Sequence, residues 1–426
     1  MPKDNQLQRN RLLTELFRDY DGPAFSILLW DGWKWASLPA ERPVFTITLN
    51  SPKALMSLMT KPDEIGLGEA FIQREIDVEG DIFSVFSVAE YLVNRPRGLM
   101  RRVAEFAARA ALESRRWITS GFQHSKSRDR ASISYHYDLP VEFYRPWLGS
   151  TLVYSCAYFR TIQDSLDLAQ WQKLDLICQK LRLQPLERFL DVGCGWGSLL
   201  LRAAGKYGAH ATGITLSRIQ AGVTEDRIRN AGLSRTCKVE FRDYRDCNQF
   251  SESFDKIASV GMFEHVGLKN LPEYFRTVRG FLRPGGNFLN HGIARSPSSP
   301  IRKNSFIDRY VFPDGRLVTL SEAVTAAESA GFEVRDVENL REHYEMTLRK
   351  WVEGLRQNEA TLRNHVSDAT YRIWLLYMAG SAAAFRRGDI AVYQMLLSRP
   401  KNGRAELPLT REDWYSHDRE EQEVGV

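Results

Sequence analysis

The stretch Arg188-Phe-Leu-Asp-Val-Gly-Cys-Gly-Trp-Gly197 predicts a buried strand, a glycine-rich turn and the start of a helix. Phe189, Leu190 and Val192 supply the apolar strand, and the glycines let the backbone turn sharply and approach a ligand closely. The following residues continue at helical period to Lys206. A turn of this kind before a helix N-terminus predicts a nucleotide-like cofactor.

The position of the acid separates two cofactor classes. A dinucleotide-binding turn has the pattern G-x-G-x-x-G, with an acid about 20 residues further on at the end of the second strand. Here the glycines run G-x-G-x-G, Gly213-Ile-Thr-Leu-Ser217 contains no acid, and Asp191 lies in the turn itself. This pattern resembles that of S-adenosylmethionine-dependent methyltransferases, so S-adenosylmethionine is the expected cofactor.

The composition is that of an ordinary globular protein. The chain has 426 residues, 43% of them hydrophobic, which is enough for two domains. It contains no apolar run of 18 residues and no N-terminal signal core, so no membrane-spanning segment is predicted. Five cysteines without a C-x-x-C pair predict reduced thiols, with neither a disulfide framework nor a metal site.

The net charge of +5 is unevenly distributed. Residues 95–130 are rich in arginine, with apolar residues between the charges. Such a segment can form a basic amphipathic helix on an anionic lipid surface, or a helix packed on its own protein with a solvated basic face. Both interpretations stay open, and no nucleic-acid-binding motif is present, so no nucleic acid partner is expected.

Alternating strands and helices predict an α/β fold with a seven-stranded Rossmann-like parallel sheet and helices on both faces. The predicted strands are 188–192, 209–215, 237–242, 255–260, 286–292, 332–338 and 391–397. Helices are predicted near 197–207, 217–231, 270–283 and 319–330. A helical, aromatic insertion at 341–388 precedes the last strand, and its aromatic residues suit either a lid over an apolar substrate or simple packing.

A smaller α+β domain is predicted at the N-terminus. It contains a strand at 44–49, a helix at 51–59 and a strand with a turn at 71–82. The predicted division is therefore an N-terminal domain at 1–120, associated with lipid or membrane, and a linker with the start of a catalytic lid at 121–145. The catalytic domain follows at 146–405, with a charged tail at 406–426.

Two polar residues follow the fourth and fifth strands of the predicted sheet. Glu264 lies in Val260-Gly-Met-Phe-Glu-His-Val-Gly267, and His291 lies in Phe288-Leu-Asn-His-Gly-Ile293. Ligands bind at the carboxyl ends of strands in this kind of sheet. A carboxylate and an imidazole at that edge predict proton removal or ion binding.

These segments together resemble the cyclopropane fatty acid synthase family. The motifs that carry the resemblance are Tyr135-His-Tyr-Asp138, Tyr154-Ser-Cys-Ala-Tyr158, Leu190–Gly197, Met262–Gly267, Arg309–Gly315 and Ala384-Phe-Arg386. They cover about residues 130–400. The N-terminal region resembles the leading domain of the phospholipid-modifying members.

The resemblance implies a specific chemistry. A methyl group passes from S-adenosylmethionine to a cis double bond of a phospholipid acyl chain, the resulting carbocation loses a proton, and a cyclopropane ring closes. It implies a bicarbonate ion as the base, held by Glu264, His291 and Tyr344 with the backbone of Cys156 and Ile293. Rings of Tyr158 and Tyr310 could stabilise the cation, or could belong to the core.

The resemblance also implies the cofactor contacts. Asp191, Gly193 and Gly195 of the turn surround the methionine moiety, and Tyr154 and Ser155 lie near the same moiety. Thr215, Leu216 and Gln220 contact the ribose and adenine, Asp243 and Tyr244 flank the adenine, and Gly197 completes the cofactor-binding turn. Ser381 stands where some relatives have a cysteine, which argues against a catalytic thiol there; Cys178 and Cys194 are predicted to be packing residues.

The expected protein is a cytoplasmic homodimer that acts peripherally on the inner face of the membrane. One alternative is a fatty acyl methyltransferase, in which the same cation loses a different proton and leaves a methylene or methyl branch. A second is an N- or O-methyltransferase acting on a small molecule, against which the Glu264, His291 and Tyr344 set argues. A third is a lipid-binding protein without activity, which would not need the intact glycine turn.

Overall fold

The computed structural model describes residues 3–60, 63–94, 139–299, 305–312 and 316–414. The chain divides into two compact units that are not contiguous in sequence. The first contains residues 1–123, 302–311 and 366–383, and the second contains 124–301, 312–365 and 384–426. The predicted boundary at residue 120 lies outside the described residues, as do the 95–130 segment, the Tyr135–Asp138 motif and most of the charged tail.

The first unit has a four-stranded sheet in the order β2-β1-β3-β4. Its strands are β1 (Phe25–Leu29), β2 (Lys34–Ala36), β3 (Phe45–Leu49) and β4 (Ile76–Gly80). Its helices are α1 (Lys3–Leu16), α2 (Pro52–Thr60), α3 (Glu64–Ile72) and α4 (Val85–Asn94). Alternate residues of β3 are buried, as the alternating sequence predicts.

The predicted strand at 71–82 is wrong in its first part. Phe71 and Ile72 form the end of helix α3, and the strand begins only at Ile76. The Asp63 carboxylate accepts a hydrogen bond from the Gly66 N–H at 2.7 Å, which caps the helix N-terminus. A helix that begins there extends through the apolar residues that β-propensity assigns to a strand.

The second unit contains a seven-stranded sheet in the order β10-β11-β9-β8-β5-β6-β7. The strands are β5 (Arg188–Val192), β6 (His210–Thr215), β7 (Cys237–Phe241), β8 (Phe254–Val260), β9 (Leu282–Arg295), β10 (Glu333–Asn339) and β11 (Ile390–Ser398). Every predicted strand is present. The sheet is not wholly parallel as predicted, because β11 runs antiparallel to both β9 and β10.

The helices of the second unit alternate with its strands. They are α5 (Val141–Leu148), α6 (Leu166–Leu181), α7 (Ser198–Gly205), α8 (Arg218–Asn230), α9 (Leu271–Phe281) and α11 (Leu320–Ser329). The predicted linker at 121–145 therefore ends inside helix α5. The short helix α10 (Phe306–Tyr310) belongs to the first unit.

The helical insertion before the last strand is present. It consists of α12 (Arg341–Gln357), α13 (Glu359–Leu362) and α14 (Asp368–Arg387). Residues of α14 up to Ala383 group with the first unit, and those from Ala384 onward group with the second. No described helix is long and apolar enough to cross a membrane.

Successive residues of the central strands pack into two different apolar clusters. Leu190 and Phe288 point into the cluster that contains α9 and α11, whereas Phe189 and Leu289 point into the cluster that contains α6 and α7. Side chains of a strand alternate between the two faces of its sheet. The short apolar runs are therefore buried on both faces, which leaves the carboxyl ends of the strands as the place for polar chemistry.

Candidate active site

The glycine turn is built by the end of β5 and the start of α7. Gly193, Gly195 and Gly197 have φ angles of 83°, 53° and 80°, in the left-handed region that favours glycine. A Cβ on Gly193 would lie 2.9 Å from Cβ of Met262. The Gly193 and Cys194 N–H groups donate to the Ile214 carbonyl at 2.9 and 3.0 Å, which fixes the turn against β6.

A cavity with about 1220 Å³ of empty space, open to solvent, adjoins this turn. The predicted cofactor residues on its wall are Tyr154, Ser155, Asp191, Gly193, Gly195, Thr215, Leu216, Gln220 and Tyr244. The sequence thus brings together residues from the segment before α6 and from the ends of β5, β6 and β7.

Two predicted cofactor residues do not reach the cavity wall. Gly197 packs against helix α8, where an added Cβ would lie 2.4 Å from Cγ2 of Thr224. The Asp243 carboxylate accepts hydrogen bonds from the Nε and Nη2 atoms of Arg245, at 3.0 and 2.8 Å. Asp243 therefore holds Arg245, and Arg245 lines the cavity.

Asp191 is a buried carboxylate on the cavity wall, 2% exposed. Its Oδ1 atom has no hydrogen-bond partner among the described residues. Burial raises the pKa of Asp191 to about 7, and the positive charge of Lys173 opposes the rise. A ligand with a positive group near Asp191 would satisfy it, so the turn and the acid fit the α-amino end of S-adenosylmethionine.

Other wall residues were missed by the sequence analysis. Lys173, Arg242, Arg245 and His265 all line the cavity. Lys173 lies within an amphiphilic stretch of α6, where a lysine is ordinarily expected to face solvent. The sequence motif of the glycine turn does not predict which residues of α6, the helix before β5, line the cavity.

Glu264 lies on a short 3₁₀ turn beside β9. Its Oε1 atom accepts a hydrogen bond from the Ile293 N–H at 2.8 Å. Its Oε2 atom is buried and has no hydrogen-bond partner among the described residues. Burial raises the pKa of Glu264 to about 7, and the Ile293 hydrogen bond opposes the rise. A carboxylate in this state can accept a proton near neutral pH.

His291 points from β9 towards Gln394 of β11. The Gln394 Nε2 atom lies 3.2 Å from His291 Nδ1. In this orientation of the Gln394 amide its nitrogen donates to Nδ1, which assigns the ring proton to Nε2, an atom that is buried without a partner among the described residues. Burial, together with the positive charges of Lys173 and Lys180, lowers the pKa of His291 well below its usual value. His291 is thus an uncharged imidazole that can donate a hydrogen bond.

Hydrogen bonds through the main chain of Leu340 connect the other predicted catalytic residues. The Cys156 Sγ atom lies 3.8 Å from the Leu340 carbonyl, and the Tyr344 N–H donates to the same carbonyl at 3.1 Å. The Leu340 N–H in turn donates to Val392, which pairs with Ile293 across β11 and β9. Burial raises the pKa of the Cys156 thiol, so it is no thiolate nucleophile.

This second group is separate from the cavity wall. Glu264, His291, Tyr344, Cys156 and Ile293 do not line the cavity, although Met262 and His265 of the Glu264 turn do. No group of His, Cys, Asp and Glu suited to a metal ion occurs within the described ranges. All five cysteines are buried and unpaired.

The sheet order, the glycine turn with its internal acid and the adjoining cavity define a class I S-adenosylmethionine-dependent methyltransferase. A family model described as mycolic acid cyclopropane synthetase matches residues 124–395. The chain belongs to this family, that of the cyclopropane fatty acid synthases. A second model, described as a domain of unknown function (DUF7884), matches residues 12–94.

Individual relatives support this assignment. A "Probable fatty acid methyltransferase" of Pseudomonas putida is 41% identical over 91% of this chain and 95% of its own length. The cyclopropane-fatty-acyl-phospholipid synthase of Escherichia coli is 37% identical over 64% of this chain and 70% of its own. The cyclopropane synthase MmaA2 from Mycobacterium tuberculosis is 32% identical, with a TM-score of 0.60 over 63% of this chain and 97% of that chain.

A structure with a bound ligand gives a similar match. Mycolic acid cyclopropane synthase CmaA1, complexed with SAH and CTAB, is 34% identical and has a TM-score of 0.60. The match covers 63% of this chain and 97% of the CmaA1 chain. The predictions of the fold class, the family and an S-adenosylmethionine-dependent enzyme are therefore confirmed.

Proposed function

We propose that the protein is a cyclopropane-fatty-acyl-phospholipid synthase. The observation that carries this proposal is the Glu264 carboxylate, which is docked on the backbone of β9, holds one unpartnered oxygen and lies outside the cofactor cavity. A methyltransferase acting on nitrogen or oxygen needs a base at its nucleophile. An alkene needs none, but the new methyl group must lose a proton for a ring to close.

The cofactor residues proposed here are those on the cavity wall, around Asp191 and Gly193. Bound S-adenosylmethionine would supply an electrophilic methyl group for the acyl double bond. The glycine turn, which leaves no room for a Cβ at Gly193, would hold the methionine moiety.

We propose that Glu264 and His291 share a bicarbonate ion, with Tyr344 and the backbone of Cys156 and Ile293 around it. Two complementary groups support this assignment: Glu264 Oε2 can accept from the ion's hydroxyl, and the Nε2–H of His291 can donate to its charged oxygens. The Ile293 N–H already donates to Glu264, so its contribution is to orient that carboxylate. A bicarbonate ion held there would supply the base for a proton of the methyl carbon, and the electron pair of that C–H bond would close the third side of the ring.

A fatty acyl methyltransferase is the second candidate. The names of the Pseudomonas relative and of a 36% identical relative from Mycobacterium tuberculosis both read "probable fatty acid methyltransferase". In that reaction the same cation loses a proton from a neighbouring chain carbon, which leaves a methylated alkene. A methylene branch forms instead when a hydride first shifts to the cationic carbon and the methyl group then loses its proton.

The experiment uses S-adenosylmethionine carrying a trideuterated methyl group with vesicles of cis-unsaturated phospholipid. A cyclopropane product loses one deuterium and gives no cleavage on ozonolysis. A methylene branch also loses one deuterium but is cleaved, and a methylated alkene keeps all three. Failure of the acyl chains to gain label, with cofactor bound, would contradict both candidates.

We further propose that the enzyme works as a cytoplasmic homodimer, peripherally on the anionic inner face of the membrane. The basic composition of residues 95–130 supports lipid binding, as does the acyl substrate. In this proposal the N-terminal region, 1–120, holds the lipid surface and residues 146–405 carry catalysis. Flotation with neutral and anionic vesicles tests the electrostatic part, and equal recovery with both would contradict it.

A further inference from the structure

Lys173 is a buried lysine on the wall of the cofactor cavity. Its side chain is part of α6 and is 2% exposed. Its Nζ atom donates to the Ser155 hydroxyl at 3.0 Å. Ser155 and Asp191 lie on the same wall, so a positive and a negative group are presented to one cavity.

Lys173 differs from the neighbouring cations, because each of those forms an ion pair with a carboxylate. Arg245 pairs with Asp243 at 2.8 Å, and Arg242 pairs with Glu240 at 3.1 Å. Lys180, two turns further along α6, pairs with Asp336 and Glu338. Lys173 has no carboxylate within ion-pairing distance anywhere in the described part of the chain.

An isolated buried charge is costly unless a partner compensates it. Burial lowers the pKa of Lys173 to about 8, and the nearby negative charge of Asp191 opposes the decrease. Most Lys173 side chains thus keep their proton at pH 7. A ligand anion at this position would restore the missing partner, just as a ligand cation would satisfy the unpartnered Oδ1 of Asp191.

The α-amino acid end of S-adenosylmethionine carries one carboxylate and one ammonium group, which is the charge pair that this wall complements. We propose that Lys173 binds the α-carboxylate of the cofactor, with its Nζ atom oriented by the Ser155 hydroxyl. The residues expected from the sequence at the methionine moiety are only Asp191, the glycines and the Tyr154–Ser155 pair. This inference concerns cofactor binding alone and does not depend on which acyl product forms.

The test compares S-adenosylhomocysteine with its decarboxylated analogue, S-adenosyl-3-thiopropylamine, by calorimetric titration at pH 7. Wild type is expected to bind S-adenosylhomocysteine at least about tenfold more tightly than the analogue. Lys173→Met is expected to bind both ligands with similar affinity, because the carboxylate has lost its partner. Lys180→Met is the matched control, since it removes a buried lysine of the same helix that does not line the cavity, and it should keep the wild-type ratio.

One result would overturn the proposal, namely a Lys173→Met variant that keeps the wild-type ratio. A variant that weakens both ligands by the same factor, as the loss of a purely structural lysine would, is included in that result. Should Lys173→Met fail to fold, the wild-type protein gives the answer. Its preference for the carboxylate should decline between pH 7 and pH 9 as Lys173 loses its proton, and a constant preference would contradict the assignment.

Discussion

At the scale of single residues, Glu264 is the side chain whose removal separates chemistry from binding. Glu264→Gln keeps the shape and an oxygen acceptor for the Ile293 N–H, but it cannot accept a proton. We expect turnover to fall by at least about 100-fold. The affinity for S-adenosylhomocysteine, measured by titration, should not change. A large loss of that affinity would make Glu264 a cofactor-binding residue.

The same side chain makes folding stability depend on pH. Its pKa is about 7 in the folded protein against 4.5 as the ordinary value, so the folded state binds more protons between these values. The free energy of unfolding of wild type should therefore fall, relative to Glu264→Gln, as pH rises from about 4.5 to 7. The relative loss should reach up to about 3 kcal/mol. Denaturant unfolding at pH 5 and pH 8 measures it, and a constant difference would contradict the raised pKa.

At the scale of elements, the glycine turn depends on a close approach of two backbone segments. Gly193→Ala would force a left-handed alanine and place its Cβ 2.9 Å from Met262. We expect a loss of about 2–4 kcal/mol in unfolding free energy, with S-adenosylhomocysteine binding lost as well. Gly232→Ala is the control, because Gly232 is also left-handed but has open space around it. Equal losses for the two variants would show that the Met262 contact contributes nothing.

The antiparallel strand β11 supplies the group that orients His291. Gln394→Leu removes the donor to Nδ1, so the ring is no longer held as the Nε2–H tautomer. Turnover should fall by about tenfold or more, while the affinity for S-adenosylhomocysteine stays at the wild-type value. Nitrogen chemical shifts of the His291 ring, measured by NMR, should show a mixture of tautomers. A single unchanged tautomer in the variant would rule out this role for Gln394.

Elements of the sheet could be predicted well because their apolar runs are short and separated by turn residues. The direction of β11 could not be predicted, since the periodicity of a strand is the same for either direction. Lys173 and Gln394 were missed for a related reason. Each is a polar residue in an apolar element, and only the folded chain shows that its polar end faces a cavity or a histidine.

At the scale of the whole molecule, the first unit is completed by a residue distant in sequence. Arg372 of α14 is buried, and it donates to the carbonyls of Phe71 and Ile76 at 2.6 and 3.0 Å and to Asp77 at 2.6 Å. Arg372→Met would remove a buried charged donor that these three acceptors share, at a cost of about 3 kcal/mol in the free energy of unfolding. Amide hydrogen exchange should accelerate in β4.

Arg74→Met is the control for that prediction. It removes a more exposed ion pair with Asp368, which contributes less than about 1 kcal/mol. Exchange in β4 should therefore stay close to that of wild type. Similar acceleration in both variants would mean that burial of Arg372 adds nothing to the stability of the first unit.

The large sequence separation between Arg372 and Asp77 affects how the chain can fold during translation. The ribosome releases the sheet of the first unit early, but the guanidinium that closes its contacts follows 295 residues later. Domains ordinarily fold in the order in which they emerge. We therefore expect the leading segment to lack the Arg372 contacts until most of the catalytic strands have been translated. A nascent chain halted before α14 should therefore be more sensitive to protease in its first hundred residues than the finished protein.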